Sequence, residues 1–163
     1  MFVKINCMDE MSPEEIFRFL NGEVTCRLGL ALDREPYVVP LSYVYMNGAI
    51  HIHFAGGHGK KSEWIERNPN VCIEVDSYSR DHLFRRSVIV RGRAERVRDK
   101  KLLCEFIEKL AEKYPHFAPG GIGKHPAVAK PFIRASIPFM AGKIAVFQIT
   151  PESITGRKSD DRT

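Results

Sequence analysis

Two apolar runs rich in β-branched residues, at positions 37–46 and 49–55, form the clearest pattern in the chain. They flank Asn47-Gly48, the dipeptide best suited to a two-residue turn with positive φ, so they are predicted to pair as a β-hairpin. Another strand is predicted at residues 24–32, where Asp33-Arg34-Glu35 turns the chain back toward the hairpin. The pattern therefore predicts three consecutive strands.

Three stretches carry helical signals. Ser12-Pro13-Glu14-Glu15 matches a capping box with proline at the first helical position, and it opens a predicted helix at residues 11–22. A short basic helix is predicted at residues 60–67. Asp99 caps a third helix at residues 99–113, whose apolar residues recur at helical spacing: Leu102, Leu103, Phe106, Ile107 and Leu110.

The other segments complete one predicted domain, residues 1–163, with barrel strands filling residues 24–97. The elements predicted after the basic helix are strands at 71–76 and 87–97, a Pro- and Gly-rich loop at 114–141 with at most a helical turn at 127–133, a last strand at 143–149 and a polar tail at 157–163. Many short strands with two or three outer helices predict a small closed or nearly closed barrel.

Composition narrows the function classes. The chain has 25 Lys and Arg against 20 Asp and Glu, a formal net charge of +5. The basic residues are scattered among acids and lack the aromatic interleaving of a single-strand nucleic-acid platform, so attraction of anionic cofactors or substrates is the favoured explanation. The 4 cysteines lack a Cys-x-x-Cys pair, which disfavours structural zinc. With no long apolar run and no signal-like start, a soluble cytoplasmic protein is expected.

The second strand of the hairpin runs into Gly56-Gly57-His58-Gly59 and then into a helix that opens with Lys60-Lys61. Glycines let the backbone approach a ligand, a helix N-terminus presents free N–H groups, and the lysines add positive charge. A lysine pair on a surface helix is usually only solvated. Directly after a Gly-rich loop, the pair instead predicts a phosphate-sized anion site.

His51 and His53 alternate with apolar residues, so both point to the same face of their strand. A polar role on the outer face is one interpretation; a two-histidine metal pair is disfavoured, because no carboxylate or third ligand stands nearby. Pro40 lies inside the preceding strand. Because proline cannot donate to a ladder, it indicates a strand edge, a bulge or a place where something other than a neighbouring strand lies.

Several motifs recur in an order and spacing typical of one family: RLG at 27–29, PYVVPL at 36–41, HFA at 53–55, GKK at 59–61, NPNV at 68–71, SVIVRGRA at 87–94 and ITGRK at 154–158. In these motifs the chain resembles the FMN-binding split β-barrel proteins related to pyridoxamine 5'-phosphate oxidase, in particular the branch of the 5-nitroimidazole resistance flavoproteins. The resemblance implies a fold that is mainly β with α, a six-stranded antiparallel split β-barrel with flanking helices.

The resemblance also implies site residues. In that family a basic residue at the position of Lys61 grips the FMN phosphate, and Lys60 occupies the preceding basic position. The strand around Pro40 presents backbone edges to the flavin ring, and the position of Ser87 carries a side chain that reaches the flavin. His53 is implied to lie near the flavin, where it could donate a proton. The implied cofactor-binding set is Val39, Pro40, Leu41, His53, Phe54, Ala55, Lys60, Lys61 and Ser87, with His53 as the catalytic candidate.

The implied function is that of an FMN-dependent oxidoreductase reducing a small electrophile, such as a nitroaromatic compound or free flavin. A homodimer with the cofactor at the interface is implied, and an apolar face around Trp64 or Val88 is the expected contact. Pyridoxamine 5'-phosphate oxidation is not expected, because residues 143–163 do not match the Arg- and His-bearing segment that holds that substrate. Non-catalytic binding of flavin, haem or a deazaflavin stays open, with His82, His116 and His125 as candidate haem ligands.

Overall fold

The structure is a computed structural model that describes residues 8–55, 59–79, 84–114 and 144–160. These residues form seven strands and three helices. In chain order the elements are β1 Asp9–Glu10, α1 Pro13–Gly22, β2 Thr25–Leu32, β3 Glu35–Met46, β4 Ala49–Ala55, α2 Lys60–Arg67, β5 Asn70–Tyr78, β6 Phe84–Arg96, α3 Lys100–Lys113 and β7 Ile144–Asp160. The first three predicted strands and all three helices lie within two residues of their predicted bounds.

The strands form one antiparallel sheet in the order β7-β4-β3-β2-β5-β6. Because β6 also pairs with β7, the six strands close into a ring, and β1 adds a two-residue pairing to β7. The ring confirms the predicted fold class, a six-stranded antiparallel barrel that is mainly β with flanking helices.

Both turns between β2, β3 and β4 contain two residues with positive φ. Asn47 and Gly48 have φ values of 54° and 74°, as their sequence predicts. Asp33 and Arg34 adopt the same region, at 49° and 70°, although neither is glycine. Arg67 of α2 stabilises the Asp33-Arg34 turn through an ion pair with Asp33 at 2.9 Å. Two tight turns thus fix the register of the first three barrel strands.

The C-terminal strand differs from the sequence-based prediction. A strand at 143–149 and a polar tail at 157–163 are predicted, whereas β7 is one strand that spans Ile144–Asp160. The polar residues 157–160 belong to the strand, because β6 pairs with β7 along almost the whole length of β6. Of the predicted loop at 114–141, all residues after Tyr114 lie outside the described part of the chain.

A bulge lets β7 continue past its proline. The register with β6 shifts next to Gly92, and this residue lies opposite Pro151. A Cβ on Gly92 would lie only 2.2 Å from the carbonyl oxygen of Thr150. Glycine is therefore required at this position, because it alone allows the two backbones to approach so closely.

Two apolar cores lie on opposite faces of the barrel wall. The larger fills the barrel interior and includes Phe54, Trp64 and Phe147. The second lies outside the wall, beneath α3, and its buried members are Val44, Met46, Phe106, Ile107, Leu110 and Val146. None of the described helices is long and apolar enough to cross a membrane.

The helix α1 is fastened to β7 by its N-terminus. The backbone N–H of Ser12 donates to the Glu15 carboxylate at 2.8 Å, and the Glu15 N–H donates to Ser12 Oγ at 3.3 Å, which is the predicted capping box. The other Glu15 oxygen accepts from Lys158 of β7 at 2.5 Å, and this bond is the main reason that the pKa of Glu15 is lowered. One carboxylate therefore caps the helix and docks it.

His51 is buried in the second core with only 1% of its surface exposed. Its ring centroid lies 6.2 Å from that of Phe106. Burial lowers the pKa of His51, and this effect outweighs the opposing influence of the Ala49 carbonyl and the Gln148 side chain. The imidazole is consequently neutral at pH 7.

Acid should weaken the fold through His51. The unfolded chain binds a proton at His51 below about pH 6.5, whereas the folded chain keeps this ring neutral to a lower pH. In that window His51 should lower the free energy of unfolding by up to about 1.4 kcal/mol per pH unit as the pH decreases, and His53, whose pKa burial also lowers, should add to the slope. Urea unfolding at several pH values measures this slope. It should be shallower in His51→Leu than in the wild type, and equal slopes would contradict the assignment.

Candidate functional site

The two strands of the hairpin, β3 and β4, stop pairing with each other part of the way along their length. Its ladder runs from Met46 and Ala49 to Tyr43 and Ile52, and there it ends. Beyond this point β3 pairs with β2 alone and β4 pairs with β7 alone among the described residues. A cleft therefore opens between two strands that are neighbours in the ring.

The backbone of β3 presents polar groups to this cleft. Successive residues of a strand point their N–H and C=O groups to opposite edges. The tight turns pair Leu32 with Glu35, so the odd-numbered residues of β3 face β2, and Val38, Pro40 and Ser42 face the cleft. Pro40 is tolerated because its missing N–H lies on the edge away from β2. This finding selects the strand-edge interpretation of Pro40.

The same alternation shows which of the implied ring-binding residues direct their backbone groups to the cleft. Val39 and Leu41 direct their backbone groups to β2 and pack their side chains against the barrel core. On β4, His53 and Ala55 direct their backbone groups toward the cleft, since His51 is the residue paired with Val44 through the hairpin ladder. The polar lining of the cleft thus comes from alternate residues of β3 and β4.

The helix α2 begins at the mouth of the cleft. Its N-cap residue, Gly59, has a φ of 133° and offers no side chain to cap the first N–H groups. Lys61 lies with Nζ 5.3 Å from the ring centroid of Phe54, whose side chain faces the barrel interior. Lys60 lies over Trp64 at 4.4 Å and over Tyr37 at 5.0 Å. Two ammonium groups and free helical N–H groups therefore meet at one corner.

Neither lysine forms an ion pair within the part of the chain that the structure describes. Aromatic rings hold both ammonium groups, and a ring quadrupole does not cancel a positive charge. The positive ends of the first peptide dipoles of α2 add to it. The corner thus carries the positive charge that the predicted phosphate-sized anion site requires, and the site itself stays a prediction.

His53 has its side chain on the other face of the barrel wall. Its ring lies 5.9 Å from Phe106 of α3, on the same side as His51, which confirms the predicted shared face. Burial lowers the pKa of His53 and favours the neutral ring. The side chain of Phe54 and the ammonium of Lys61 lie on the opposite face. The structure therefore places the backbone of His53 at the edge of the cleft and its imidazole on the outer face of the wall, beside Phe106.

Ser87 lies apart from the corner within one chain. It lies on β6 opposite Asp76 of β5 and Arg157 of β7, and its neighbour Val88 points into the core. In the ring β6 is separated from β4 by β7, and from β3 by β2 and β5. Of the implied set, the cleft strands and Lys60 and Lys61 come together, whereas Ser87 occupies the outer face of a distant strand.

Tyr37 is a corner residue that the sequence-based set omits. Its ring packs edge-to-face on Trp64 with centroids 5.8 Å apart, and it carries Lys60. The alternation of Tyr37, Val39 and Leu41 predicts an inward face for it, but only the fold places α2 there. Residues 56–58, including His58, lie outside the described part of the chain.

Sequence comparison gives two matches. A model of the pyridoxamine 5'-phosphate oxidase family matches residues 12–158. An uncharacterized protein from Rhizobium meliloti strain 1021 is 28% identical over 93 residues. That match spans 57% of this chain and 56% of the relative, so it reaches only about half of the other protein.

Solved structures match over nearly the whole chain. A FAD-binding protein from Mesorhizobium loti is 27% identical, with a TM-score of 0.69 over 94% of this chain and 99% of its own. A protein provisionally assigned to 5-nitroimidazole antibiotic resistance, from Bacteroides thetaiotaomicron, is 21% identical, with a TM-score of 0.67 over 93% and 89%. The haem storage protein HutZ from Vibrio cholerae is 18% identical, with a TM-score of 0.61 over 87% and 92%. The last two share the fold alone.

Proposed function

This chain belongs to the pyridoxamine 5'-phosphate oxidase family, and we propose that it is an FMN-binding flavoprotein that reduces a small electrophile, such as a nitroaromatic compound or free flavin. The observation that carries the proposal is the corner of Lys60 and Lys61, whose charge no described carboxylate balances, at the mouth of a cleft with open backbone edges. The FAD-binding relative from Mesorhizobium loti supports a flavin in particular.

The described residues meet three demands that FMN makes. Lys61 and the first N–H groups of α2 would hold the phosphate. The backbone groups of Val38, Pro40 and Ser42 that face the cleft would hydrogen-bond the polar edge of the ring system. Apolar side chains at the corner, including Phe54, would cover part of the cofactor. The flavin, when bound, supplies the electron-transfer chemistry, and this chain supplies position and electrostatics.

The electrostatic role of the chain is to favour an anion and a negatively charged ring. Lys60 and Lys61 raise the local potential, and charge near the flavin edge tunes its electronics. The cleft edges offer backbone N–H donors that need no rearrangement when negative charge develops on a bound group. The two lysines form one compact cationic corner, for which we propose the single phosphate of FMN rather than the diphosphate of FAD; mass spectrometry of the released cofactor distinguishes the two.

A non-catalytic carrier is the alternative function, since it would use the same cleft. An absorption spectrum of the purified protein identifies the cofactor and separates flavin from haem. The candidate haem ligands His82, His116 and His125 lie outside the described residues. Photoreduction followed by addition of a nitroaromatic acceptor then separates an enzyme, which is reoxidised rapidly, from a carrier.

Replacing Lys61 tests the phosphate corner. Lys61→Ala removes a charge-assisted contact worth roughly 1.5 to 3 kcal/mol, so the affinity for FMN should fall about tenfold to a hundredfold. Riboflavin has no phosphate and should bind the variant and the wild type alike. Lys60→Ala is the comparison variant: Lys60 adds to the same potential but lies over Trp64, so its replacement should lower the affinity by less, below about fivefold. Unchanged FMN affinity in Lys61→Ala would show that this corner does not bind the FMN phosphate.

We further propose a symmetric homodimer, with each flavin contacted by both chains. The expected contact was an apolar face including Trp64 or the strand around Val88; the side chains of Trp64 and Val88 themselves are buried in the core. The outer face around Gly29 of β2 and Val38 of β3 can form the interface, because Val38 is 64% exposed there and lies away from Val44 and Met46, the part of β3 that α3 covers. A second copy would also supply the outward-facing Ser87 that a single chain keeps away from its own corner.

Light scattering tests this interface. Val38→Glu places a charge on the outer face of β3 and should shift the mass from dimer to monomer at micromolar concentration, because burying an unpaired carboxylate is costly. Phe17→Glu is the control: Phe17 is 58% exposed on α1, so its replacement should leave the dimer intact. A wild-type protein that is monomeric with flavin bound would disprove the proposal.

The role of His53 is tested by reoxidation kinetics. If His53 acts as a general acid, His53→Ala should keep FMN but slow reoxidation by the acceptor about 10²-fold. The placement of its imidazole beside Phe106 leads us to propose instead that His53 contributes its backbone, so that the rate stays within about twofold of wild type. Stopped-flow measurement of the reduced variant decides. A reoxidation rate about a hundredfold below that of the wild type would show that the imidazole takes part in the reaction.

A further inference from the structure

The end of α3 is joined to the point where β3 and β4 separate. We propose that Tyr114 and Lys113 are positioning residues that fix this point, and so hold the two edges of the cleft at the separation that a flavin ring requires. The inference rests on the flavin-binding function proposed above. Neither residue reaches the cleft itself; both act through Tyr43, the last residue of β3 in the hairpin ladder.

The Tyr114 hydroxyl takes the place of a missing strand neighbour. The pairing of β3 with β2 ends at Ser42 and Thr25, so β2 offers no partner to the backbone of Tyr43. The Tyr43 N–H donates to the Tyr114 hydroxyl at 3.1 Å. The same hydroxyl lies 3.0 Å from the Tyr43 carbonyl oxygen and within hydrogen-bond distance of the Val24 carbonyl oxygen. The hydroxyl thus accepts from the Tyr43 N–H and donates its single proton to one of these two carbonyl oxygens, at the point where β3 changes its pairing partner.

Lys113 fixes the side chain of the same tyrosine. Its Nζ lies 3.8 Å from the ring centroid of Tyr43 and donates to the carbonyl oxygen of Leu20 at 3.2 Å. The Tyr43 hydroxyl donates to that carbonyl as well, at 2.7 Å. Burial lowers the pKa of Lys113 to about 8, so the ammonium persists at pH 7 and interacts with the ring as a cation. The ends of α1 and α3 are therefore both tied to Tyr43.

The consequence concerns the width of the cleft. Tyr43 is fully buried and held at both its backbone and its ring, so the hairpin ladder cannot easily lengthen or shorten by a pair. A longer ladder would pair Ser42 with His53 and occupy the edges that face the cleft. A shorter one would release Val44 and His51. The contacts of α3 with Tyr43 therefore keep the ladder at its observed length.

Tyr114→Phe tests the inference, because it removes the hydroxyl and keeps the ring. Hydrogen exchange in the flavin-free protein should become on the order of fivefold faster at the amides of Val44 and His51, the pair next to the separation point. The amides of Met46 and Ala49, at the turn, should not change. Lys113→Met, which keeps the apolar stem, should act in the same direction. Tyr45→Phe is the matched control, since Tyr45 is also half-buried but has no hydrogen bond through its hydroxyl within the described residues.

Flavin binding supplies the second measurement. Tyr114→Phe should weaken FMN and riboflavin by the same factor, on the order of fivefold, because the separation point governs the ring and not the phosphate. Unchanged exchange at Val44 and His51 would overturn the inference whether or not flavin binds. Faster exchange with wild-type affinity for both flavins would also overturn it, leaving a merely structural contact. A wild-type protein that binds no flavin would instead overturn the proposed function.

Discussion

The end of the β3–β4 ladder at Tyr43 and Ile52 is the constraint on which the other features of the site depend. An antiparallel hairpin normally continues to pair, because an unpaired strand edge leaves polar groups without partners. Here each strand keeps its other neighbour, β2 for β3 and β7 for β4, and β6 closes the ring on the far side. The ring is therefore closed without those pairs, and their backbone groups stay available for the flavin that we propose.

The electrostatics of the corner follow from what holds the lysines. Phe54, Trp64 and Tyr37 orient the two ammonium groups through contacts worth about 0.5 to 2 kcal/mol each. A carboxylate in the same positions would orient the lysines as well, but it would cancel their charge and repel a phosphate. Holding cations with aromatic rings keeps the positive potential intact, which is what the proposed phosphate site requires of this corner.

Local signals predict the parts of the site that are made locally. Asn47-Gly48 fixes the hairpin, and the Gly-rich loop before Lys60 and Lys61 predicts the corner, since all of these act within a few residues. Alternation predicts that His51 and His53 share a face, but it does not say that this face lies beneath α3. The hydrogen bonds of the Tyr114 hydroxyl could not be predicted from the sequence. Their partners, Tyr43 and Val24, stand 71 and 90 residues away along the chain, and no motif marks them. The length of β7 was missed for a related reason: its continuation depends on Gly92 of another strand.

If the chain binds flavin and dimerises as we propose, β3 would link the two, because it uses two edges and two faces at once. One edge pairs with β2, and the other faces the cleft. Its inward side chains, Tyr37, Val39 and Leu41, pack on the core, while Val38 and Pro40 point outward. Since Val38 and Pro40 also direct their backbone to the cleft, a second chain lying on their side chains would restrain the groups that meet the ring. Dimer formation and flavin binding are therefore expected to be energetically coupled through this strand, without any segment having to move between the two.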